Sequence, residues 1–320
     1  MDKLEDFENA RLISRILSMH YIEESSQAQI AKELNLSTVK VNRMIRQAKE
    51  QGWLNISINT PFKSLFELEQ QLTEKTALPN SVVTPSWSQD PAVRLRTVGE
   101  AGANYLLEQL KDGDTICISG GKAVSAIADA LNPKHSYPNV KVVPASGGVQ
   151  GKYFTDVNHL VSRIAERLGA QAMTLHAPLF VESRAVRDML MELKQCKEIL
   201  DMARAADFAL LGVGSILPDD SSFFDLNPLS PAQREEIIEA GAIGDLFAHL
   251  YDKNGELCQL KHNDTLVALS FEELAAIPCS IGMAVGDDKV DPIAGVLHSK
   301  RLKTLITDEL TAKAVIEKLS

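Results

Sequence analysis

The chain has 320 residues, enough for two domains, one of them with a sizeable core. Its 45% hydrophobic and 24% charged residues are those of a globular protein, and no run of about 18 apolar residues suggests a membrane span. The net charge of −10 excludes a surface that is basic throughout, and the acidic, amphipathic start MDKLEDFENA does not resemble a signal peptide, so a cytoplasmic location is expected.

Residues 7–20, FENARLISRILSMH, repeat apolar side chains at helical spacing and predict the first helix of a small bundle. A second, short helix carries Ile30, Ala31 and Leu34, and the polar turn Asn35, Leu36, Ser37 follows it. Ser37 or Thr38 then caps a third helix, whose Val41, Met44, Ile45 and Ala48 share one face. Ile16, Leu17, Ile30, Leu34, Leu36, Val41 and Ile45 are expected to form a shared core. Arg43 and Arg46 point away from that core, with Lys40 on the flank. Two helices joined by a three-residue turn, the second basic and outward, make a helix-turn-helix that fits a major groove. A plain helical hairpin with a solvated charged face is the bland alternative. Against it, residues 37–49 hold four cations and no acid in an otherwise acidic chain, and Ala28 and Ala31 allow close helix crossing. Ser37, Thr38, Lys40, Asn42, Arg43 and Arg46 are therefore the candidate DNA-binding residues. Gly52 ends the third helix, and Trp53 to Ile58 alternate like the strand of a wing.

Pro61 breaks that strand, and Leu65, Leu68 and Leu72 then mark a connecting helix over 65–77 that can also pair subunits. From about residue 80 strands alternate with helices. The strand candidates are 81–84, 115–119, 140–145, 172–175, 208–213, 281–285 and 304–307. Helices are expected at 92–110, 123–130, 157–168, 185–204 and 235–240. That alternation predicts a mainly parallel sheet covered on both faces. Residues 219–231 are the most loop-like stretch. Cys117, Cys196, Cys258 and Cys279 lie far apart without a CxxC spacing, which indicates reduced thiols. No metal or other cofactor is expected.

In open α/β sheets ligands bind beyond the carboxyl ends of strands. Two glycine pairs occupy such positions. Ser119, Gly120, Gly121 and Lys122 run straight into a helix, where backbone N–H groups and Lys122 suit a phosphate or sugar hydroxyls. Ser146, Gly147, Gly148 and Val149 follow the next strand, with Asp156 and Asn158 supplying donors and acceptors for a polyol. The bland reading of both pairs is a tight turn and nothing more. Neither fits GxGxxG or a Walker sequence, so no dinucleotide or ATP is expected. Asp245, in GAIGD, either accepts from ligand hydroxyls or caps a helix over 246–250. Lys300 and Arg301 are either pocket cations or plain surface charge.

The helix-turn-helix, ISGGKAVSAIADAL, ASGGV, DVN, HAPLF, LLGVGS, GAIGD and LITDE fall in an order that resembles the SorC family of sugar-responsive bacterial transcription regulators. The resemblance covers residues 10 to 318. It implies a winged-helix-like DNA-binding domain (1–60), a connecting helix (61–80) and a Rossmann-like α/β effector domain (81–320) similar to sugar-phosphate isomerases. It also implies double-stranded operator DNA and a sugar, polyol or sugar phosphate as partners, and a homodimer or homotetramer without enzymatic activity. By position, Ser119, Gly120, Gly121, Lys122, Gly147, Gly148, Val149, Asp245 and Lys300 would line the effector pocket. Many relatives carry an aromatic residue and a Thr in the first loop, as in GWGxT. This chain has Ser119 to Ala123 there, so either Lys122 replaces the missing hydroxyl or the ligand is an uncharged polyol. The competing reading is a sugar-phosphate isomerase with Asp219 or Asp220 as base.

Overall fold

The computed structural model describes residues 3–54, 60–149, 156–217, 221, 223–224, 227 and 229–320. Most of the expected wing strand and six of the thirteen residues of the loop 219–231 lie outside them. The chain divides into two compact units, Met1–Lys63 and Ser64–Ser320.

The first unit holds α1 (Lys3–Tyr21), α2 (Gln27–Glu33) and α3 (Thr38–Glu50). Ser26 opens α2 with a reciprocal cap: its hydroxyl accepts from the Gln29 N–H, and the Gln29 side chain accepts from the Ser26 N–H. Asn35 takes a left-handed conformation, φ +55°, which an asparagine tolerates better than most residues. That reversal lets Ser37 cap α3 by accepting from the Lys40 N–H at 3.1 Å. Ile13, Ile16, Ile30, Val41 and Ala48 are fully buried, while Leu17, Leu34 and Leu36 are half-buried around them. At the far end Gly52, φ +72°, closes α3: its N–H donates to the Lys49 carbonyl and the Trp53 N–H to that of Ala48.

All but the first residue of α4 (Lys63–Thr76) belongs to the second unit, and its Leu65, Leu68 and Leu72 are part of the main core. This helix covers an exposed sheet edge. The Glu69 carboxylate accepts from the Val83 N–H of β1 (Asn80–Thr84), and Ser81 donates to the Glu69 carbonyl. Seven parallel strands follow the order β1-β10-β9-β5-β2-β3-β4; six correspond to expected strands, and the short β4 shares only Ala172 with the expected 172–175. These are β2 (Thr115–Ile118), β3 (Lys141–Pro144), β4 (Gln171–Ala172), β5 (Phe208–Gly212), β9 (Cys279–Met283) and β10 (Thr304–Asp308), besides β1. Ile116, Cys117, Val142, Val143, Ala209 and Leu210 are fully buried, as parallel strands covered on both faces must be. The helices α5 (Pro91–Gln109), α6 (Lys122–Ala130) and α7 (Val157–Leu168) connect them. Among the described residues no helix is long and apolar enough to cross a membrane.

The expected helix over 185–204 is two helices, α8 (Arg184–Glu192) and α9 (Lys194–Arg204), broken at Leu193, whose ψ of 126° is extended. The burial explains the break: Cys196, Leu200 and Ala203 of α9 pack inward, whereas α8 buries no residue. A second sheet is antiparallel: β6 (Gly214–Ser215), β7 (Ala242–Leu246) and β8 (His249–Asp252). Here the alternative of Asp245 as the cap of a helix over 246–250 is corrected. Asp245 lies within β7, and the chain turns back through Phe247 and Ala248 into β8.

That turn has φ of +49° at Phe247 and +65° at Ala248, the two-residue hairpin geometry usually met by Asn-Gly. Neither residue favours positive φ, so the hairpin is held by its surroundings, against local preference. Ala248→Gly is expected to raise stability by about 0.5–1 kcal/mol, the relief at φ +65° outweighing the extra freedom of the unfolded chain. Urea denaturation of the two proteins measures it, and an unchanged or lower midpoint contradicts it.

Candidate functional site

On the first unit, Thr38, Lys40, Asn42, Arg43 and Arg46 are all exposed along α3, opposite the face formed by Val41, Met44, Ile45 and Ala48. Ser37 is exposed too, but its hydroxyl is already engaged as the cap. Arg46 donates from Nε to Glu50 Oε1 at 3.0 Å, an exposed pair of small energetic weight. The array is cationic, carried by one helix, and anchored by an apolar face. Such an array can neutralise phosphates and reach base edges in a major groove.

The second unit carries a cavity of about 540 Å³, well within the range of small-ligand sites. It lies over the carboxyl ends of β2, β3, β5 and β9, and its place in the sheet follows from strand order. From β2 the chain moves outward through β3 and β4, then returns to the other side of β2 at β5. Loops leaving β2 and β5 therefore diverge and open a crevice between them. Ser119, Gly120, Gly121 and Lys122 leave β2 into it; Val213, Gly214 and Ser215 leave β5. Gly121 has φ +114° and stands at the N-terminus of α6 with no side-chain cap, so the first N–H groups of α6 are left for another acceptor.

The second glycine pair is used differently. A Cβ on Gly147 would come within 2.5 Å of the Pro178 backbone, so this glycine permits two chain segments to cross. Asp156 lines the cavity, yet both its oxygens are engaged by backbone: Oδ1 accepts from Asn158 and His159 N–H, and Oδ2 from the Val149 N–H at 3.1 Å. Gly148 sits against that carboxylate and does not line the cavity. Asn158 spans to Leu175 with both amide atoms, at 2.9 and 3.1 Å, and also lies off the cavity. Val149 lines the wall.

Asp245 reaches the cavity from β7, opposite Gly214 of β6, where a side chain on that glycine would collide with its carboxylate. Burial pushes the Asp245 carboxyl up to about 6, while the Lys289 charge and the Ala248 N–H pull it down. Lys289 itself lines the cavity and pairs with Asp288 at 2.9 Å. Sequence reasoning missed it, although it follows β9 and Gly286 in the same strand-glycine-helix pattern as the two loops that were found. Lys300 does not line the cavity; it precedes β10 and is therefore at the amino-terminal edge of the sheet, away from the ligand side. Also missed were the aromatic walls Phe180, Phe223 and Phe247. Phe180 and Phe223 pack on His262, whose Nε2–H donates to the Ala248 carbonyl and whose burial lowers its pKa. Asp219 and Asp220 lie outside the described residues.

Convergent hydroxyls, carboxylates, two ammonium groups and aromatic faces make the cavity suited to a small polyhydroxylated molecule. Fold and sites together define a protein with a helix-turn-helix unit followed by an α/β ligand-binding unit.

Residues 60–317 match the family described as "Putative sugar-binding domain", and residues 14–51 match sigma-70, region 4. The chain is 29% identical over 317 residues to the sorbitol operon regulator of Klebsiella pneumoniae, covering 98% of this chain and 100% of that one. It is 30% identical over 315 residues to the deoxyribonucleoside regulator of Bacillus subtilis, covering 98% and 100%. The crystal structure of the full-length Klebsiella pneumoniae sorbitol operon regulator superimposes with a TM-score of 0.75, at 29% identity and covering 99% of each chain. The chain belongs to the SorC family of sugar-responsive bacterial transcriptional regulators.

Proposed function

We propose that this protein binds operator DNA through α3 and that a carbohydrate in the second unit's cavity changes its operator affinity. The observation that carries this reading is the presence, in one chain, of an outward cationic recognition helix and a ligand-sized crevice at the switch point of a parallel sheet. Relatives named for sorbitol operons and deoxyribonucleosides support a carbohydrate catabolic target. Control follows from differential affinity: the effector favours one arrangement of paired subunits and DNA favours another.

The cavity wall includes four carboxylates, Asp90, Asp156, Asp245 and Asp288, against two cations, Lys122 and Lys289. That balance favours an uncharged sugar or polyol. A phosphorylated sugar is the second reading, supported by the uncapped N-terminus of α6 beside Lys122. A thermal-shift screen of the full-length protein against sugars, polyols and their phosphates separates the two, because a ligand bound only to the native state raises its melting point. A shift with no compound of either class, or turnover of a sugar phosphate followed by NMR, would count against the proposal.

Arg43→Ala is expected to weaken operator binding by about 1–3 kcal/mol and leave effector affinity unchanged. Fluorescence anisotropy on DNA and calorimetry on effector test the two halves, and unchanged DNA binding contradicts the assignment.

A further inference from the structure

We propose that Val39 is a specificity-determining residue that reads the 5-methyl group of a thymine in the major groove. The proposal rests on the reading that α3 binds DNA. Val39 is the second residue of α3 and is 79% exposed. At about 100° per residue, Val39, Asn42, Arg43, Arg46, Gln47 and Glu50 occupy a sector of about 140°. That sector is diametrically opposite the buried Val41, Met44, Ile45 and Ala48. Lys40 and Lys49 fall about a quarter turn to either side.

With the buried face turned toward the rest of the bundle, the stripe faces the groove floor. The two flanking lysines then face the phosphate walls. This geometry divides the work of the helix: lysines hold the backbone and the stripe meets base edges.

A single exposed valine elsewhere would need no explanation. Here it occupies the first turn, the part of a recognition helix that approaches the bases. Every other member of the stripe can hydrogen-bond. A branched hydrocarbon cannot, and the apolar group that the major groove presents is the thymine methyl. Arg46 is oriented at the other end of the stripe, its Nε donating to Glu50, which leaves its two terminal amino groups for a second acceptor such as a guanine edge.

The test uses the full-length protein and a duplex that it enriches from random-sequence DNA. Each thymine of a half-site is replaced in turn by deoxyuridine, which removes only the methyl group. At one position the wild-type protein is expected to lose affinity by about three- to tenfold, the scale of one buried methyl. Val39→Ala should lose a similar factor on the parent duplex and be indifferent to that same replacement. Val39→Thr, which keeps one methyl, should retain part of the sensitivity. Unchanged melting temperatures confirm that the variants fold, as the exposure of the side chain leads one to expect. If the protein binds its duplex but no thymine couples to residue 39, this inference fails and the DNA-binding reading stands. If the protein enriches no duplex at all, the reading itself fails and takes the inference with it.

Discussion

Arg94→Ala is expected to destabilise the second unit by about 3–5 kcal/mol, the largest stability effect foreseen for a single substitution in this chain. Arg94 is 5% exposed on α5, and its Nη1 lies 2.6 Å from Oδ2 of Asp308, which is fully buried at the carboxyl end of β10. Ser86 donates to Asp308 Oδ2 at 2.6 Å, Thr311 to Oδ1 at 2.5 Å, and the Leu310 N–H to Oδ2 at 3.2 Å. The carboxylate thus joins three parts of the unit: the segment after β1, the start of α5, and the C-terminal helix. Burial pushes its pKa up, but the hydrogen bonds from Ser86, Thr311 and Arg94, with the Arg94 charge, together hold it below the usual carboxylate value.

Because the folded-state pKa is depressed, the group contributes stability above its unfolded value of about 4 and loses it as pH falls through the folded value. Without Arg94 the buried charge is no longer compensated. The acid limb of the stability curve should then move to higher pH. The double variant Arg94→Ala with Asp308→Asn should recover part of the loss, since it removes the stranded charge. Chemical denaturation at pH 7 and pH 4 measures all of this. A loss under about 1 kcal/mol at pH 7, or no change in the acid limb, would contradict it.

Asp245→Asn is expected to act in two opposite directions. On the proposal that Asp245 accepts from ligand hydroxyls, effector affinity should fall by about tenfold or more, because charge-assisted hydrogen bonds are the stronger kind. The ligand-free protein should instead become more stable at pH 7 to 8, by about 2 kcal/mol. The folded-state pKa of Asp245, about 6, lies above the unfolded value. Between those two values the folded state binds more protons, so this carboxyl's contribution is full below about 4 and is lost as pH rises through 6. An amide never ionises and escapes that loss. Melting curves at pH 5 and pH 8 should therefore diverge more for the wild type than for the variant. Calorimetry with an effector found in the thermal-shift screen supplies the other half. A variant that is less stable at pH 8, or that binds effector normally, contradicts this account.

The helix-turn-helix and six of the seven parallel strands were legible from local pattern, while the two-residue β4 was placed one residue late and too long. Apolar positions at helical spacing picked out Val41, Met44, Ile45 and Ala48 as the inner face of α3, and these are the residues buried there. Apolar runs such as Ile116 to Ile118 and Phe208 to Leu211, too short for a helix, fit strands buried on both faces. The glycine loops at the ends of β2 and β3 were legible for the same reason, since a parallel strand feeding a helix puts its turn on the ligand side.

Other features carry no local signal. The hairpin between β7 and β8 turns on Phe247 and Ala248, residues that no turn rule selects, so GAIGDLFAHL reads equally well as a glycine-flanked cap and helix. The helix pattern across 185–204 does not register the extended backbone at Leu193, which answers to where α9 packs. Lys289 and Lys300 are both lysines near a strand. Only strand direction sets Lys289 after β9, in the cavity, and Lys300 before β10, outside it. Periodicity is a property of neighbours along the chain and reports which face of an element is buried. Which loops converge on one crevice depends on strand order and on pairings between residues as far apart in the chain as Ile116 and Phe208, and that information exists only once the sheet has formed.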